Sequence, residues 1–238
     1  GLDTIATIRI NGEIRLTTKN MHRSYRLDIT KELTAGDVQL EVSFKAPLTD
    51  AEEHVAELGL YPRPYDMPYN YQRKMACSYG WDWGPITVSS GIWKKVEIHN
   101  WSTAYCDHVA VVPTVENSIP QFDLNVPVKG EFRELSARVR VVSVNDSETL
   151  LDTLVSIRGS QFVEKIQVPN AQIWHPRGRG AQPLYNVVFD LLDANDQVLE
   201  SHSKRVGFRK VELDSSPSFD GKNMFAIKVN GERLWRSE

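Results

Sequence analysis

Apolar and polar residues alternate with a period of two along most of this chain. Turn-forming pairs such as Asn11-Gly12, Lys129-Gly130 and Asn230-Gly231 separate the alternating runs. Because successive side chains of a strand point to opposite faces, the pattern predicts half-buried strands. Short strands at roughly 8–12-residue spacing favour β-sandwiches over alternating strand–helix units. The apolar positions of the four runs are Val38, Leu40, Val42 and Phe44; Leu135, Ala137, Val139 and Val141; Tyr185, Val187, Phe189 and Leu191; and Phe225, Ile227 and Val229.

The composition excludes several classes of protein. Of the 238 residues, 41% are hydrophobic and 25% are charged, which is typical of a globular chain and not of a disordered or fibrous one. A net charge of −3 argues against a nucleic-acid partner, since such proteins carry a basic face. No apolar run approaches the roughly 20 residues of a membrane-spanning helix. Cys77 and Cys106 are too few for a disulfide framework and cannot fill a four-ligand zinc site.

The two ends of the sequence predict a fragment of a longer protein. The chain begins at Gly1 without an initiator methionine or a signal-like apolar core, and it stops soon after Asn230-Gly231. Neither end has the pattern of a natural domain edge. Among compartments, the cytoplasm is slightly favoured.

One segment departs from the strand pattern. Residues 49–60 have helical periodicity with an acidic first turn, and we expect Thr49 or Asp50 to cap this helix. Residues 61–69 then contain three prolines and three tyrosines. Proline excludes a helix here, and a loop of this length is uncommon unless it serves a functional site.

The densest cluster of aromatic residues is Tyr79-Gly80-Trp81-Asp82-Trp83-Gly84-Pro85, followed by Gly91-Ile92-Trp93. Indole rings stack on the apolar faces of sugars, and a carboxylate accepts hydrogen bonds from sugar hydroxyls, so the cluster is compatible with a sugar site. The competing interpretation places the tryptophans in a sandwich core, with Asp82 capping a turn. From spacing alone, the core interpretation is the more common outcome.

Further motifs occur in a fixed order along the chain. They are Leu2-Asp3-Thr4, Ile8-Arg9-Ile10-Asn11-Gly12 and Asn20-Met21-His22-Arg23; Arg73-Lys74; Ile173-Trp174-His175-Pro176, Gly178, Gly180, Gln182-Pro183-Leu184-Tyr185 and Val206-Gly207-Phe208-Arg209; and residues 225–231. Together with the tryptophan cluster, this set resembles the β-mannosidases of glycoside hydrolase family 2. The resemblance extends over essentially the whole chain.

The resemblance implies an all-β fold in three parts. Residues 1–100 would form a partial jelly-roll (galactose-binding-like) sandwich without its first strands, and residues 101–213 an immunoglobulin-like β-sandwich with Trp174 as a core aromatic. Residues 214–238 would be a linker and the first strands of a (β/α)₈ barrel. The unpaired sheet edges of a truncated jelly roll favour self-association through an edge strand.

The resemblance also implies a reaction that this chain does not perform alone. Retaining hydrolysis of a terminal β-mannoside requires two carboxyl groups about 5–5.5 Å apart. In the family both lie on the barrel, which takes about 250 residues, whereas only residues 215–238 follow Asp214. We therefore expect no catalytic residue, no cofactor and no glycosidase turnover in the isolated chain.

What the resemblance assigns to this chain is part of a sugar pocket. By motif position, Trp81 and Asp82 contact the mannose, Trp83 packs behind the loop, and Arg73 orients Asp82 through a charge-assisted pair. The substrate of the full-length protein would be a β-mannoside or manno-oligosaccharide. Two alternatives remain open: a stand-alone carbohydrate-binding or adhesion module, and a related exo-glycosidase of the β-galactosidase or β-glucuronidase type.

The histidines and cysteines predict no metal site. No two of the six histidines have the spacing of metal ligands on a helix, so surface or core-edge positions are expected. Cys77 has no obvious base nearby and is expected to be a small buried apolar residue. The six histidines are His22, His54, His99, His108, His175 and His202.

Overall fold

A computed structural model describes residues 1–33, 36–82, 84–131, 134–218 and 221–234 of the chain. Strands dominate it, which confirms the predicted all-β class. The chain divides into two compact units, Gly1–His99 and Asn100–Glu238. Within the described ranges, no helix combines the length and the apolar character needed to cross a membrane.

The first unit is built on a small antiparallel sheet in the order β3-β2-β4, with a separate pairing of β1 with β5. In β2, Ala6, Ile8 and Ile10 are buried while the residues between them are partly exposed, as alternation requires. The strands are β1 (Leu2–Asp3), β2 (Ile5–Ile10), β3 (Glu13–Lys19), β4 (Leu40–Phe44) and β5 (Gly91–Ile92). The helical elements are α1 (Thr30–Leu33), α2 (Pro47–Leu58) and the 3₁₀ turns Tyr69–Tyr71 and Ala76–Tyr79.

Helix α2 confirms the predicted helix but corrects its start. It begins at Pro47, whose missing N–H and fixed φ suit the first helical position, and no side chain caps it. The predicted cap at Thr49 or Asp50 is therefore wrong. Asp50 is buried inside the first turn, where its carboxylate accepts a hydrogen bond from Gln72 Nε2 at 2.7 Å and lies 3.1 Å from Lys45 Nζ.

The second unit contains a two-sheet antiparallel sandwich. One sheet has the order β10-β9-β12-β13, and the other joins β11, β8 and β6, with β7 also paired to β8. The strands are β6 (Ala104–Cys106), β7 (Ala110–Glu116), β8 (Ile119–Gly130), β9 (Leu135–Ser143), β10 (Thr149–Ile157), β11 (Gln161–Gln167), β12 (Tyr185–Leu192) and β13 (Val198–Val206).

Inward-facing residues of three central strands supply most of the core of this sandwich. Strands β9 and β12 bury the apolar positions that alternation predicts, which confirms both runs. The buried set is Phe122, Leu124, Val126 and Val128 of β8; Leu135, Ala137, Val139 and Val141 of β9; and Tyr185, Val187, Phe189 and Leu191 of β12. Phe208, beyond β13, is also fully buried.

Trp174 is not the core aromatic that the motif predicts. It is only partly buried, and Arg209 lies over its ring, 5.1 Å from the centroid. Its inner side packs against Gly207, where an added Cβ would lie 2.9 Å from the indole. The backbone N–H of Trp174 donates to the Phe208 carbonyl at 2.8 Å. The Val206–Arg209 motif therefore places Phe208 in the core, while its Gly207 and Arg209 contact the partly buried Trp174.

A small sheet of β14 (Val211–Asp214), β15 (Ala226–Val229) and β16 (Glu232–Arg233) belongs to the same unit. Asn230 joins it to the Trp174 loop: its side-chain amide donates to the Trp174 carbonyl at 3.0 Å and accepts from the Lys210 N–H at 3.0 Å. The predicted run in residues 225–229 is confirmed from Ala226 onward. Phe225 precedes the strand and is 83% exposed.

Asp214 holds this small sheet together by electrostatics. Hydrogen bonds from Ser216, followed by Lys228 and Arg233, lower the pKa of its carboxyl well below the ordinary 3.8. A lowered native pKa stabilises the fold above about pH 3.8, and this contribution is lost as the pH falls toward the native pKa. We expect acidification to lower the protection factors of the β15 amides, which correct the exchange rates for the intrinsic pH dependence of exchange, and Asp214→Asn to flatten this pH dependence. Glu212→Gln, on the same strand, is the matched control. An unchanged pH profile in Asp214→Asn would contradict the prediction.

Candidate functional site

Trp81 is the first residue of a tight turn on the surface of the first unit. The turn closes where the Gly84 N–H approaches the Trp81 carbonyl at 3.4 Å, and Gly80 enters it with φ +113°, a conformation that favours glycine. The side chain of Trp81 is 49% exposed, and Asp82 beside it is exposed as well. The core interpretation is therefore wrong for Trp81. Trp83, predicted to pack behind the loop, lies outside the described residues.

Tyr65 of the proline-rich loop lies against Trp81. The two rings are 6.0 Å apart between centroids and tilted by 47°, and Tyr65 is also exposed. Arg63 organises the loop, since its guanidinium donates to the carbonyls of Tyr65 at 3.0 Å and Asp66 at 2.8 Å. Sequence reasoning singled out the loop but not Tyr65. The sequence feature that could have indicated Tyr65 is its position between two prolines of a loop predicted to serve a functional site.

The base of the same loop is fixed by two further tyrosines. Tyr61 and Tyr71 stack in parallel, with centroids 5.0 Å apart and planes within 2°. The Tyr71 hydroxyl accepts the Tyr61 N–H at 2.7 Å and donates to the Gly59 carbonyl at the end of α2. Both ends of the loop are therefore anchored, so the tyrosine facing Trp81 is held in place.

A buried hydrogen-bond chain supports the segment that leads to Trp81. Gln72 Nε2 donates to the Pro47 carbonyl at 2.9 Å and to Asp50 at 2.7 Å, and the Tyr79 hydroxyl donates to Gln72 Oε1 at 2.5 Å. Burial, reinforced by the charges of Asp50 and Asp3, raises the pKa of Tyr79 to about 12. Tyr79 therefore stays a neutral donor and ties helix α2 to the turn.

Lys74 is the most deeply buried charge of the first unit. Its side chain has no exposed surface, and its ammonium forms an ion pair with Asp3 and donates to the Ser89 carbonyl at 2.8 Å. Asp3 also accepts the hydroxyl of Thr4. Nothing in the local sequence around Lys74 indicates burial. Its contacts join β1 to the two segments that flank the Trp81 turn.

Arg73, the neighbour of Lys74, points the other way and is exposed. Its backbone forms a bridge with Asn20, and its carbonyl accepts the Met21 N–H at 3.0 Å. Within the described residues, no ion pair joins its guanidinium to Asp82. The predicted pairing of Arg73 with Asp82 stays a prediction.

Trp93 is also at the surface, which corrects the core interpretation for this residue. It is 46% exposed, and Lys94 Nζ lies over its ring, 4.3 Å from the centroid. It lines a shallow pocket that includes none of the predicted sugar-binding residues. The pocket is lined by Gly1, Ser24, Ile92, Trp93, Lys94, Lys95 and Glu97.

One side-chain cluster in the second unit has the chemistry of metal ligands. The donor atoms of Cys106, Glu200 and His202 all lie within 4.8 Å of one another. Burial, together with the nearby Glu200 carboxylate, raises the pKa of the Cys106 thiol to about 12. The other cysteine, Cys77, is exposed, so its predicted burial is wrong; it lies in a 3₁₀ turn with its side chain away from the core.

Comparisons with known proteins place relatives over almost the entire chain. Residues 1–94 match the sequence model of the glycosyl hydrolase 2 galactose-binding domain-like family, and residues 104–209 match that of glycosyl hydrolases family 2. A beta-mannosidase of Bos taurus is 30% identical over 97% of this chain, and beta-mannosidase B of Aspergillus clavatus is 29% identical over the same share. The chain spans 28% of the length of each relative.

A solved structure agrees with these sequence matches. The beta-D-mannosidase from Dictyoglomus thermophilum superposes with a TM-score of 0.85 and 28% identity. The match covers 98% of this chain and 29% of that protein. Sequence and fold therefore point to the same group of relatives, and in each case this chain corresponds to less than a third of the relative's length.

Proposed function

Since this chain belongs to the glycosyl hydrolases family 2, we propose that it is the N-terminal, non-catalytic part of a retaining β-mannosidase, an enzyme that removes terminal β-D-mannose. The relatives from Bos taurus and Aspergillus clavatus and the superposing bacterial structure all bear the name beta-mannosidase. Two family models match in the order expected for the start of such an enzyme. The substrate class is a glycoside.

The observation that carries the proposal is the exposed Trp81 at the start of a tight turn whose flanking segments are held by side-chain hydrogen bonds. A half-exposed indole gives up part of the favourable free energy of burial. Its position on a turn that Tyr79 and Lys74 hold in place therefore favours a binding role. Trp81 and Tyr65 together form an exposed aromatic surface on which the apolar face of a sugar can stack. The adjacent Asp82 carboxylate is exposed and can accept hydroxyl hydrogen bonds, and Arg73 adds donors at a second exposed position.

The chain's own acidic residues are not proposed as catalysts. Retaining hydrolysis needs a nucleophile and a general acid/base at a fixed short separation on either side of the scissile bond. The proposal assigns these two carboxyl groups to the part of the enzyme that lies beyond this chain. This chain then binds and orients the terminal sugar, and the isolated chain hydrolyses no β-mannoside.

We expect Trp81→Ala, made in the enzyme that carries this chain, to lower kcat/KM for an aryl β-D-mannoside by about 30-fold or more. The reason is that removing a central aromatic contact typically costs at least about 2 kcal/mol of binding energy. Steady-state kinetics measure the change. Trp93→Ala is the matched control, because Trp93 is exposed to a similar extent in the same unit and makes no ring contact with Tyr65.

Three outcomes would count against the proposal. An equal loss in Trp81→Ala and Trp93→Ala would mean that the effect is not local to the turn. Faster turnover of aryl β-galactosides or β-glucuronides than of the mannoside would identify a different exo-glycosidase. Shifts of the Trp81 indole signal when the isolated chain is titrated with mannose would favour a stand-alone binding module.

A further inference from the structure

Strand β13 carries two polar side chains on its core-facing side. Glu200 pairs with Leu191 and His202 with Phe189, and residues directly opposite each other in a sheet share a face. Leu191 and Phe189 are fully buried, so Glu200 and His202 point toward the interior of the sandwich. Because β13 is the last strand of its sheet, this interior position lies along the open edge of the sandwich.

Cys106 of the opposite sheet lies next to Glu200 and His202. Cys106 ends β6 and pairs with Val128, which is buried, so its thiol faces inward too. The Cys106 backbone N–H donates to Glu200 Oε2 at 2.8 Å, and His202 Nε2 lies 3.2 Å from the same oxygen. One thiol, one carboxylate and one imidazole therefore converge between the two sheets.

The cluster is accessible to an ion from one side. The Cys106 residue is buried, whereas the side chains of Glu200 and His202 retain 27% and 33% of their exposure. A tetrahedral site with bonds of about 2.0–2.3 Å places its donor atoms roughly 3.3–3.8 Å apart. The observed separations, all within 4.8 Å, reach that spacing by small side-chain rotations.

We propose that Cys106, Glu200 and His202 bind a zinc ion at the open edge of the sandwich, where the ion links β6 of one sheet to β13 of the other. The ligand set selects zinc, because thiolate and imidazole suit it, whereas calcium and magnesium require oxygen ligands. Three protein ligands leave one tetrahedral position for water. The hydrogen bond from the Cys106 N–H orients the Glu200 carboxylate toward the site.

The test uses the chain as it is, reduced and treated with a chelator, and titrated with Co²⁺ as a spectroscopic substitute for Zn²⁺. We expect one equivalent to bind with a thiolate-to-cobalt absorption band, and Zn²⁺ to displace it. Zn²⁺ should also raise the thermal unfolding temperature, since an ion that binds only the folded state stabilises it. Absence of the absorption band would overturn the proposal.

Variants separate this site from adventitious binding. Cys106→Ser and His202→Gln should each weaken Co²⁺ binding by about tenfold or more, whereas Cys77→Ser, at the exposed cysteine of the first unit, should bind as the original chain does. His202→Gln keeps the thiol and changes a partly exposed side chain, so it remains informative if Cys106→Ser fails to fold. An unchanged Co²⁺ affinity in His202→Gln, or a cobalt band that is lost in Cys77→Ser, would refute the site.

Discussion

Replacing Phe208 by alanine is expected to lower the free energy of unfolding of the second unit by about 3–5 kcal/mol, the usual cost of deleting a large buried aromatic. Phe208 is fully buried, and its ring packs between Phe122 and Tyr185, with centroids 6.4 and 5.4 Å away. The substitution removes contacts to strands of both sheets at once. The core cannot collapse to fill this space without moving β8 or β12.

Phe225→Ala is the matched control, because Phe225 is the same residue type in the same unit but is 83% exposed. Its replacement should change the free energy of unfolding by no more than about 0.5 kcal/mol. Urea denaturation followed through amide signals of β8 and β12 reports the second unit separately from the first. Similar losses in the two variants would show that Phe208 does not pack in the core as described.

Lys74→Met is expected to destabilise the first unit by about 3–5 kcal/mol, since removing one partner of a buried ion pair leaves the other charge uncompensated. The Lys74 side chain has no exposed surface, and Asp3 is buried as well. Methionine fills much of the lysine volume, so the expected loss arises from the unpaired Asp3 carboxylate and the Ser89 carbonyl that loses its donor. The loss in free energy of unfolding is measured by following the amide signals of β2 during urea denaturation.

Two comparisons identify charge burial as the cause. Lys165→Met breaks an exposed pair with Glu116, 3.5 Å apart, and should cost at most about 1 kcal/mol. Adding Asp3→Asn to Lys74→Met removes the unpaired charge and should recover part of the lost stability. If Lys74→Met costs no more than Lys165→Met, the buried pair contributes nothing beyond a surface contact.

Much of the fold could be predicted from the alternation of apolar and polar residues, because this alternation depends only on which face of a strand packs against the core. The buried positions of β9 and β12 could be predicted in this way. The start of α2 could not, since Pro47 and the buried contacts of Asp50 outweighed the expected cap. Trp174 was predicted to lie in the core but is only partly buried. Arg209, and not a second sheet, lies over its ring.

Less of the candidate site than of the fold could be predicted from the sequence. The resemblance indicated Trp81 and Asp82, but the ring contact of Tyr65 and the burial of Lys74 depend on segments far apart in the chain. The helical spacing of metal ligands does not indicate Glu200 and His202, because both lie on a strand. On a strand, residues two apart share a face, and the third candidate ligand, Cys106, comes from the opposite sheet.

Asn230 gives the second unit a mechanical property. Its side chain bonds to the Trp174 loop in one direction and to Lys210 in the other, and Arg179 and Glu232 add a contact at 3.0 Å. The Asn230 and Glu232 contacts tie the small sheet to the loop that carries Trp174 and Arg179. A displacement of the small sheet is therefore expected to move that loop with it.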